Sequence, residues 1–209
     1  RGAGKNGFIS SLAHFFISSL HAVEEYDAAI IANSEEQAKV SFEEIYNKII
    51  KSHELSAINT RDTSFEEEPI GEFEPWKSNI ESRETNSKLK FYTANPDTKD
   101  GGRHAVMFFD EFHQFLNSEL VKVFTGGQGK KPFSRQFFIG TKGAIREGYF
   151  DMMYKRAERI LDGEIPVRGI FPFINEVDDI TEMDNEAMWE KAKPALQKPL
   201  TPRGEELLQ

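Results

Sequence analysis

The chain has 209 residues, a formal net charge of −9 and 38% hydrophobic residues, and it contains 18 phenylalanines. This length and apolar content are enough for one domain with a large core. The acidic balance argues against a protein that binds nucleic acid over its whole surface. The absence of cysteine excludes disulfides and cysteine-ligated metal sites, and we expect neither a membrane-spanning segment nor a signal peptide.

The chain begins with a glycine-rich turn before a helical pattern, Arg1-Gly2-Ala3-Gly4-Lys5-Asn6-Gly7. Small residues would let backbone N–H groups approach phosphates, the N-terminus of the next helix would add its dipole, and Lys5 would reach the terminal phosphates. We therefore interpret the turn as the end of a P-loop; a disordered tail is the alternative. Asn6 stands where such loops usually have the Ser or Thr that binds Mg²⁺.

The strand that precedes a P-loop would lie upstream of Arg1, so we expect an N-terminally truncated fold. In a sheet of this type we expect the absent strand to be the neighbour of residues 105–109, whose buried backbone groups would then lose a partner. It follows that residues 1–209 should bind nucleotide weakly and should bind it better once the upstream strand is restored.

The following residues predict a helix over 8–23, a buried strand over 28–32, and a second helix that extends to residue 50. Ser34 and Gln37 form a capping box before the second helix. The order helix, strand, helix indicates a parallel sheet with crossover helices. Residues 60–84 are polar and acidic and predict a surface excursion, and residues 89–93 predict a further strand.

Residues 105–109 are an uninterrupted apolar run that is followed at once by Asp110 and Glu111. Such a run is long enough for a strand buried on both faces of a parallel sheet. In a nucleotide hydrolase, Asp110 would hold Mg²⁺ on the phosphates and Glu111 would orient and deprotonate the attacking water. The alternative is that the two acids only open the next helix, where they suit its dipole. The phosphate-binding turn at the start of the chain favours the nucleotide site.

The rest of the pattern predicts helices over 112–124 and 149–160, strands over 137–141 and 167–177, a short helix from residue 184 and a tail from Pro194. Thr141, at the end of its strand, would lie beside the γ-phosphate and sense hydrolysis. Lys130 and Lys131 lie in a glycine-rich loop. That loop is either a solvated turn or a contact to a nucleic-acid backbone.

In these motifs the chain resembles the ATPase domain of the bacteriophage terminase large subunit, the motor that packages DNA into procapsids. The resemblance covers most of the chain and depends on the order and spacing of its segments: Arg1 to Asn6, Asn33 to Ala38, Phe108 to His113, Gly140 to Gly143, and Phe173 to Asp179 leading to Trp189 to Pro194. It implies an α/β P-loop NTPase fold of the additional-strand, recombinase-like type, with three layers and a mostly parallel central sheet.

The resemblance also implies a role for each matching residue. The phosphates of ATP would be bound by Gly2, Ala3, Gly4, Lys5 and Asn6, and Mg²⁺ by Asp110 together with Asn6. Glu111 would be the catalytic carboxylate, and Arg1 matches an arginine that stabilises charge near the γ-phosphate. Residues Gly140, Thr141, Lys142 and Gly143 would couple hydrolysis to movement.

For the whole protein, the resemblance implies an ATP hydrolase that drives double-stranded viral DNA into a procapsid. Its partners would be the portal protein and the small terminase subunit, and the working motor would be a ring of five. It would act in the host cytoplasm, transiently docked on the procapsid portal, without a membrane. We expect the ATPase domain over residues 1–180, and over residues 181–209 a short helix and linker towards a nuclease domain outside the chain.

Two other interpretations remain open. Residues 110–113 also spell a helicase box and Gly140-Thr141 its third motif, but a superfamily 2 helicase needs a second recombinase-like domain, for which 209 residues leave no room. The chain could instead be a catalytically silent prophage remnant that acts as an interaction module. A nucleotide-binding titration separates this last interpretation from an enzyme.

Overall fold

The computed structural model describes residues 4–52, 54–56, 71–93, 103–115, 118–142 and 148–194. These residues form two compact units. The larger unit contains residues 6–152, and the smaller one contains residues 4–5 together with residues 153–194. The larger unit carries the sheet and is taken first.

A six-stranded sheet with the order β2-β3-β4-β1-β5-β6 is the centre of the larger unit. The strands are β1 (Ala28–Ala32), β2 (Phe73–Pro75), β3 (Asn79–Ser82), β4 (Lys88–Thr93), β5 (Val106–Phe109) and β6 (Arg135–Phe138). Strands β4, β1, β5 and β6 are parallel to one another, whereas β2 and β3 are antiparallel additions at one side. The predicted α/β fold with a mostly parallel sheet is therefore confirmed.

Helices α1 (Lys5–Ile17) and α2 (Glu35–Ile50) cover one face of this sheet. Ile9, Ala13 and Ile17 of α1 are completely buried in the same core as Ile30 of β1 and Phe108 of β5. In α2, Ser34 caps the N-terminus by accepting a hydrogen bond from the backbone N–H of Gln37, as the capping box predicts. Both helices begin close to their predicted positions because their apolar residues recur at helical spacing.

An aromatic cluster fills the opposite face. Phe109 of β5 stacks on Phe138 of β6 with ring centroids 5.0 Å apart, and it also contacts Phe112 and Phe124. Phe124 lies on a short helix, α3 (Glu119–Thr125). Because β5 is buried on both faces, its side chains join α1 on one side and this cluster on the other. The sheet is thus the middle of three layers.

The structure corrects several expectations about elements. Strand β5 pairs with β1 on one side and with β6 on the other, so the expectation that residues 105–109 lack a partner is wrong. The predicted excursion over residues 60–84 contains the strands β2 and β3. The predicted helix over 112–124 is a 3₁₀ turn, Phe112–Gln114, and the separate helix α3. The strand predicted at 137–141 is shifted to Arg135–Phe138.

The smaller unit has little regular structure. It contains most of helix α4 (Tyr149–Leu161), which begins in the larger unit, and it ends with two 3₁₀ turns and helix α5 (Trp189–Ala192). The strand predicted over 167–177 is absent: these residues form no ladder, and Phe171 and Phe173 are 89% and 77% exposed. The alternation of apolar and polar residues predicted a strand here incorrectly, because these apolar side chains have no sheet to pack against. Within the described ranges, no helix combines the length and the apolar character needed to cross a membrane.

Candidate nucleotide-binding and catalytic site

Asp110 and Glu111 follow β5 at the end of the sheet where the four parallel strands terminate, here called the carboxyl edge. The backbone N–H of Asp110 donates to the carbonyl of Ile31 at 2.8 Å, which extends the pairing of β5 with β1. The Asp110 side chain is only 3% exposed, and its Oδ1 accepts the backbone N–H of Glu111 at 2.8 Å. In open α/β sheets, ligand sites usually lie among polar residues at the carboxyl ends of the parallel strands.

Glu111 has a left-handed backbone, with φ 46° and ψ 43°. This conformation is unfavourable for residues other than glycine, and it concentrates at functional sites. The following 3₁₀ turn, Phe112–Gln114, receives no side-chain cap hydrogen bond from Glu111. The alternative interpretation, in which the carboxylate only opens the next helix, therefore has no support in the geometry of Glu111.

Gly140 and Thr141 lie beside this acidic pair. The carbonyl of Ile139 accepts the backbone N–H of Phe112 at 2.8 Å, so the segment after β6 is joined to the segment after β5. A side chain at Gly140 would come within 3.3 Å of the backbone nitrogen of His113, and so only glycine allows this close approach without movement. The structure therefore brings Asp110 and Glu111 together with the first half of the predicted coupling motif.

His113 contacts both segments, although no role was predicted for it from the sequence. Its Nδ1 lies 3.3 Å from Oε2 of Glu111, and the backbone N–H of Thr141 donates to the same nitrogen at 3.4 Å. Its only signal in the sequence was its position directly after the Asp110–Glu111 pair.

The start of α1 approaches the same edge. Near its end, Phe16 lies under the guanidinium of Arg135, the first residue of β6, at 5.5 Å from its ring centroid. The carbonyl of Ile17, the last residue of α1, accepts a hydrogen bond from Oγ1 of Thr85, which precedes β4 at the amino end of the parallel strands. Near the start of α1, Phe8 contacts Phe137 of β6 at 6.4 Å between centroids. Helix α1 therefore runs against the parallel strands and directs its N-terminus, at Asn6, towards the carboxyl edge. Such a terminus offers backbone N–H groups and a positive dipole to a phosphate.

The remaining predicted site residues divide into two groups. Arg1, Gly2, Ala3 and Gly143 lie outside the described residues. Gly4 has φ +76°, which glycine adopts without strain, Lys5 opens α1, and Lys142 is exposed.

The two lysines of the loop lie at the other end of the sheet. Lys131 Nζ donates to the backbone carbonyl of Glu25 at 2.7 Å and lies 3.7 Å from a carboxylate oxygen of Asp27, which precedes β1. Burial raises the pKa of the Asp27 carboxyl, and Lys131 acts against that shift. Lys130 is exposed. Neither lysine is therefore part of the site around Asp110.

The residues at the carboxyl edge suit Mg²⁺ that arrives with a nucleotide. Mg²⁺ commonly takes one or two protein carboxylates and completes its shell with water and phosphate oxygens. Asp110 supplies such a carboxylate in a buried position at this edge, where a cation would be electrostatically favourable. Across the described part of the chain, no group of three or more His, Asp or Glu side chains is placed to hold a metal by itself.

A family model described as the terminase large subunit, ATPase domain, matches residues 9–159. The crystal structure of the HK97 bacteriophage large terminase matches with a TM-score of 0.68 and 17% identity, over 99% of this chain and 40% of that chain. Two structures of the Thermus phage P74-26 large terminase ATPase domain give TM-scores of 0.45 and 0.46 at 17% and 16% identity, covering 70% of this chain and 59% and 58% of theirs. No curated protein matches the sequence.

The likeness to the HK97 protein supports the three-layer fold, and the chain spans 40% of the length of that terminase. The family model covers most of the chain, including β1, the Asp110–Glu111 pair and residues 140–143. On this match the chain belongs to the terminase large subunit family and corresponds to its ATPase domain.

Proposed function

We propose that this chain hydrolyses ATP and uses the energy to move double-stranded viral DNA into a procapsid. The observation that carries the proposal is the buried Asp110 next to the strained Glu111 at the carboxyl edge, towards which the N-terminus of α1 is directed. This arrangement combines a metal-binding carboxylate, a candidate base and a phosphate-binding helix terminus.

In the proposed mechanism, Lys5 and the backbone of Gly2 to Asn6 bind the phosphates of ATP, and Arg1 stabilises charge near the γ-phosphate. Asp110, with Asn6, holds Mg²⁺, which neutralises charge on the phosphate oxygens when it is bound. Glu111 orients the attacking water and accepts its proton. The αL backbone fixes the direction in which the Glu111 side chain leaves the chain.

Residues 140–143 are the proposed link between hydrolysis and movement. The hydrogen bond between Ile139 and Phe112 and the close approach at Gly140 connect this segment to the catalytic one. A change at Glu111 therefore has a short path to Thr141. Lys130 is the proposed contact to a DNA phosphate, whereas the neighbouring Lys131 is engaged with Glu25 and Asp27.

The wider assembly is also a proposal. The portal protein and the small terminase subunit would be its partners, five copies would form the motor ring, and the motor would work in the host cytoplasm while docked on the portal. We propose residues 1–180 as the ATPase domain and residues 181–209 as a short helix and linker. Since the chain spans 40% of the HK97 large terminase, a nuclease activity is not assigned to it.

Replacing Glu111 with Gln in the full-length protein tests the proposal. Gln keeps the size of the side chain but cannot accept a proton, so ATP hydrolysis should fall by a factor on the order of 10² or more. Binding of ATP should be retained, because the phosphate-binding residues are unchanged. Steady-state hydrolysis and equilibrium titration with a fluorescent ATP analogue measure the two quantities separately.

Glu25→Gln is the matched control, since Glu25 also has a positive φ but lies before β1, at the opposite end of the sheet. It should leave hydrolysis within about twofold of the unmodified protein, as expected of surface positions remote from the site. If Glu111→Gln lost binding and hydrolysis together, Glu111 would be structural. If the unmodified protein bound no ATP, the silent-remnant interpretation would replace the enzyme.

A further inference from the structure

Two groups compete for one nitrogen of His113. Oε2 of Glu111 lies 3.3 Å from Nδ1, and the backbone N–H of Thr141 lies 3.4 Å from the same atom. Both distances are at the long end of the hydrogen-bond range, as expected for an atom placed between two partners. The imidazole therefore stands between the candidate catalytic carboxylate and the candidate coupling segment.

The two hydrogen bonds cannot exist at the same time. A carboxylate accepts, so a bond to Glu111 requires a proton on Nδ1. A backbone N–H donates, so a bond from Thr141 requires a lone pair on Nδ1. In the neutral ring one nitrogen carries the proton and the other the lone pair, and so each tautomer of His113 satisfies one partner only.

The surroundings favour a change of tautomer over a movement of the ring. The backbone of His113 is held by the close approach of Gly140, and the preceding Phe112 is hydrogen-bonded to Ile139. The ring also contacts Phe150 edge-on, at 6.4 Å between centroids. The side chain is 18% exposed, which leaves it open to proton exchange with water.

We propose that His113 is a positioning residue that couples the state of Glu111 to the backbone of Thr141. Before hydrolysis, Nδ1–H donates to Glu111 and holds its carboxylate. When Glu111 turns to the attacking water, Nδ1 releases its proton to solvent, Nε2 takes one from solvent, and the neutral ring accepts the N–H of Thr141. This inference depends on the proposed role of Glu111 in ATP hydrolysis.

The tautomer can be observed directly. In the full-length protein labelled with ring-¹⁵N histidine, protonated and unprotonated ring nitrogens differ widely in ¹⁵N chemical shift. The Nδ1 signal of His113, assigned by its loss in His113→Phe, should change from the protonated to the lone-pair type when ADP and aluminium fluoride are added with Mg²⁺. A signal that keeps the same type in both states overturns the proposal.

Kinetic measurements provide a second test. His113→Phe removes both hydrogen bonds but keeps a ring, and it should lower kcat by about 10-fold or more while KM for ATP stays within about twofold, because the phosphate contacts are untouched. His113→Asn should recover part of kcat, since its amide can donate to Glu111 or, after a flip, accept from Thr141. Equal kcat in His113→Phe and the unmodified protein overturns the proposal.

His21→Phe is the control, because His21 contacts Tyr26 at the other end of the sheet and should leave kcat unchanged. The result also separates the two levels of inference. An unmodified protein that hydrolyses ATP with an unchanging His113 signal rejects the coupling role alone. An unmodified protein that binds no ATP rejects the proposed function and this inference with it.

Discussion

Glu111 has a left-handed backbone conformation. This conformation is energetically unfavourable for any residue that carries a side chain. Asn tolerates the left-handed region better than Glu because its short polar side chain forms local hydrogen bonds. We therefore expect Glu111→Asn to raise the free energy of unfolding by about 1 kcal/mol while it abolishes ATP hydrolysis. Urea denaturation and a hydrolysis assay on the same preparation measure both effects.

Glu25→Asn provides the comparison, since Glu25 has φ 52° and lies before β1, away from the carboxyl edge. The Glu25→Asn protein should gain a similar free energy of unfolding and should keep its ATPase activity. A Glu111→Asn protein less stable than the original would show that the side chain of Glu111 contributes more to folding than its backbone strain costs. That result would weaken the case for a functional origin of the strain.

The residue types of the site could be predicted from sequence, but their contacts could not. Two carboxylates after an apolar strand indicate a metal and a base whatever the details of the fold. The competition at His113 depends on Thr141, which lies 28 residues further along the chain and meets the ring only after β6 pairs with β5. The positive φ of Glu111 is likewise produced by the turn that follows β5, and no residue preference signals it.

Helix α1 has a half-buried histidine that links its packing to pH. His14 contacts the ring of Phe73 in β2 at 4.7 Å, and burial lowers its pKa below the ordinary 6.5, with Glu72 acting against that shift. A lowered pKa in the folded state means that the unfolded chain binds more protons as the pH falls. Stability from this group is thus present above pH 6.5 and is lost as the pH falls through the folded pKa.

His14→Phe should make the free energy of unfolding less dependent on pH between 7 and 5, because it removes this proton uptake but keeps an aromatic ring. The difference in slope is limited to about 1.4 kcal/mol per pH unit for one proton. Urea midpoints at several pH values provide the measurement. Carboxylates titrate equally in both proteins, so identical slopes would mean that His14 is solvated in the folded state.

Buried elements were predicted better than exposed ones. Strands β1, β4 and β5 and helix α2 agree with their predicted positions because their apolar residues must face a core. Helix α1 is correctly predicted as an element, but it ends at Ile17 and not at the predicted residue 23. The strands β2 and β3 were missed because they are short and lie in an acidic segment. The pairing of β2 with β3, and of β3 with β4, determines their conformation more than their own residues do.

The charge of the chain limits where DNA can bind. A net charge of −9 repels phosphates over most of the surface, so contact must come from local cations. One cleft is lined by Arg103, Lys130 and Lys131, but also by acidic residues that include Asp27. Lys131 is occupied by the carbonyl of Glu25 and by Asp27, and its side chain is 16% exposed. The structure therefore distinguishes two neighbouring lysines that the sequence treated alike.

We expect Lys130→Ala to weaken DNA binding by the full-length protein and to reduce the slope of log K against log salt concentration by about 1, the value for one lost phosphate contact. Lys131→Ala should instead lower stability, because it removes one of the two lysines that offset the charge of the Asp27 carboxylate, and the salt slope should hardly change. Lys77→Ala, an exposed lysine between β2 and β3, is the control and should alter neither quantity. DNA titrations at several salt concentrations measure the slopes. An unchanged slope in Lys130→Ala would identify the loop as a solvated turn, and DNA would then have to bind through other cations of an acidic chain.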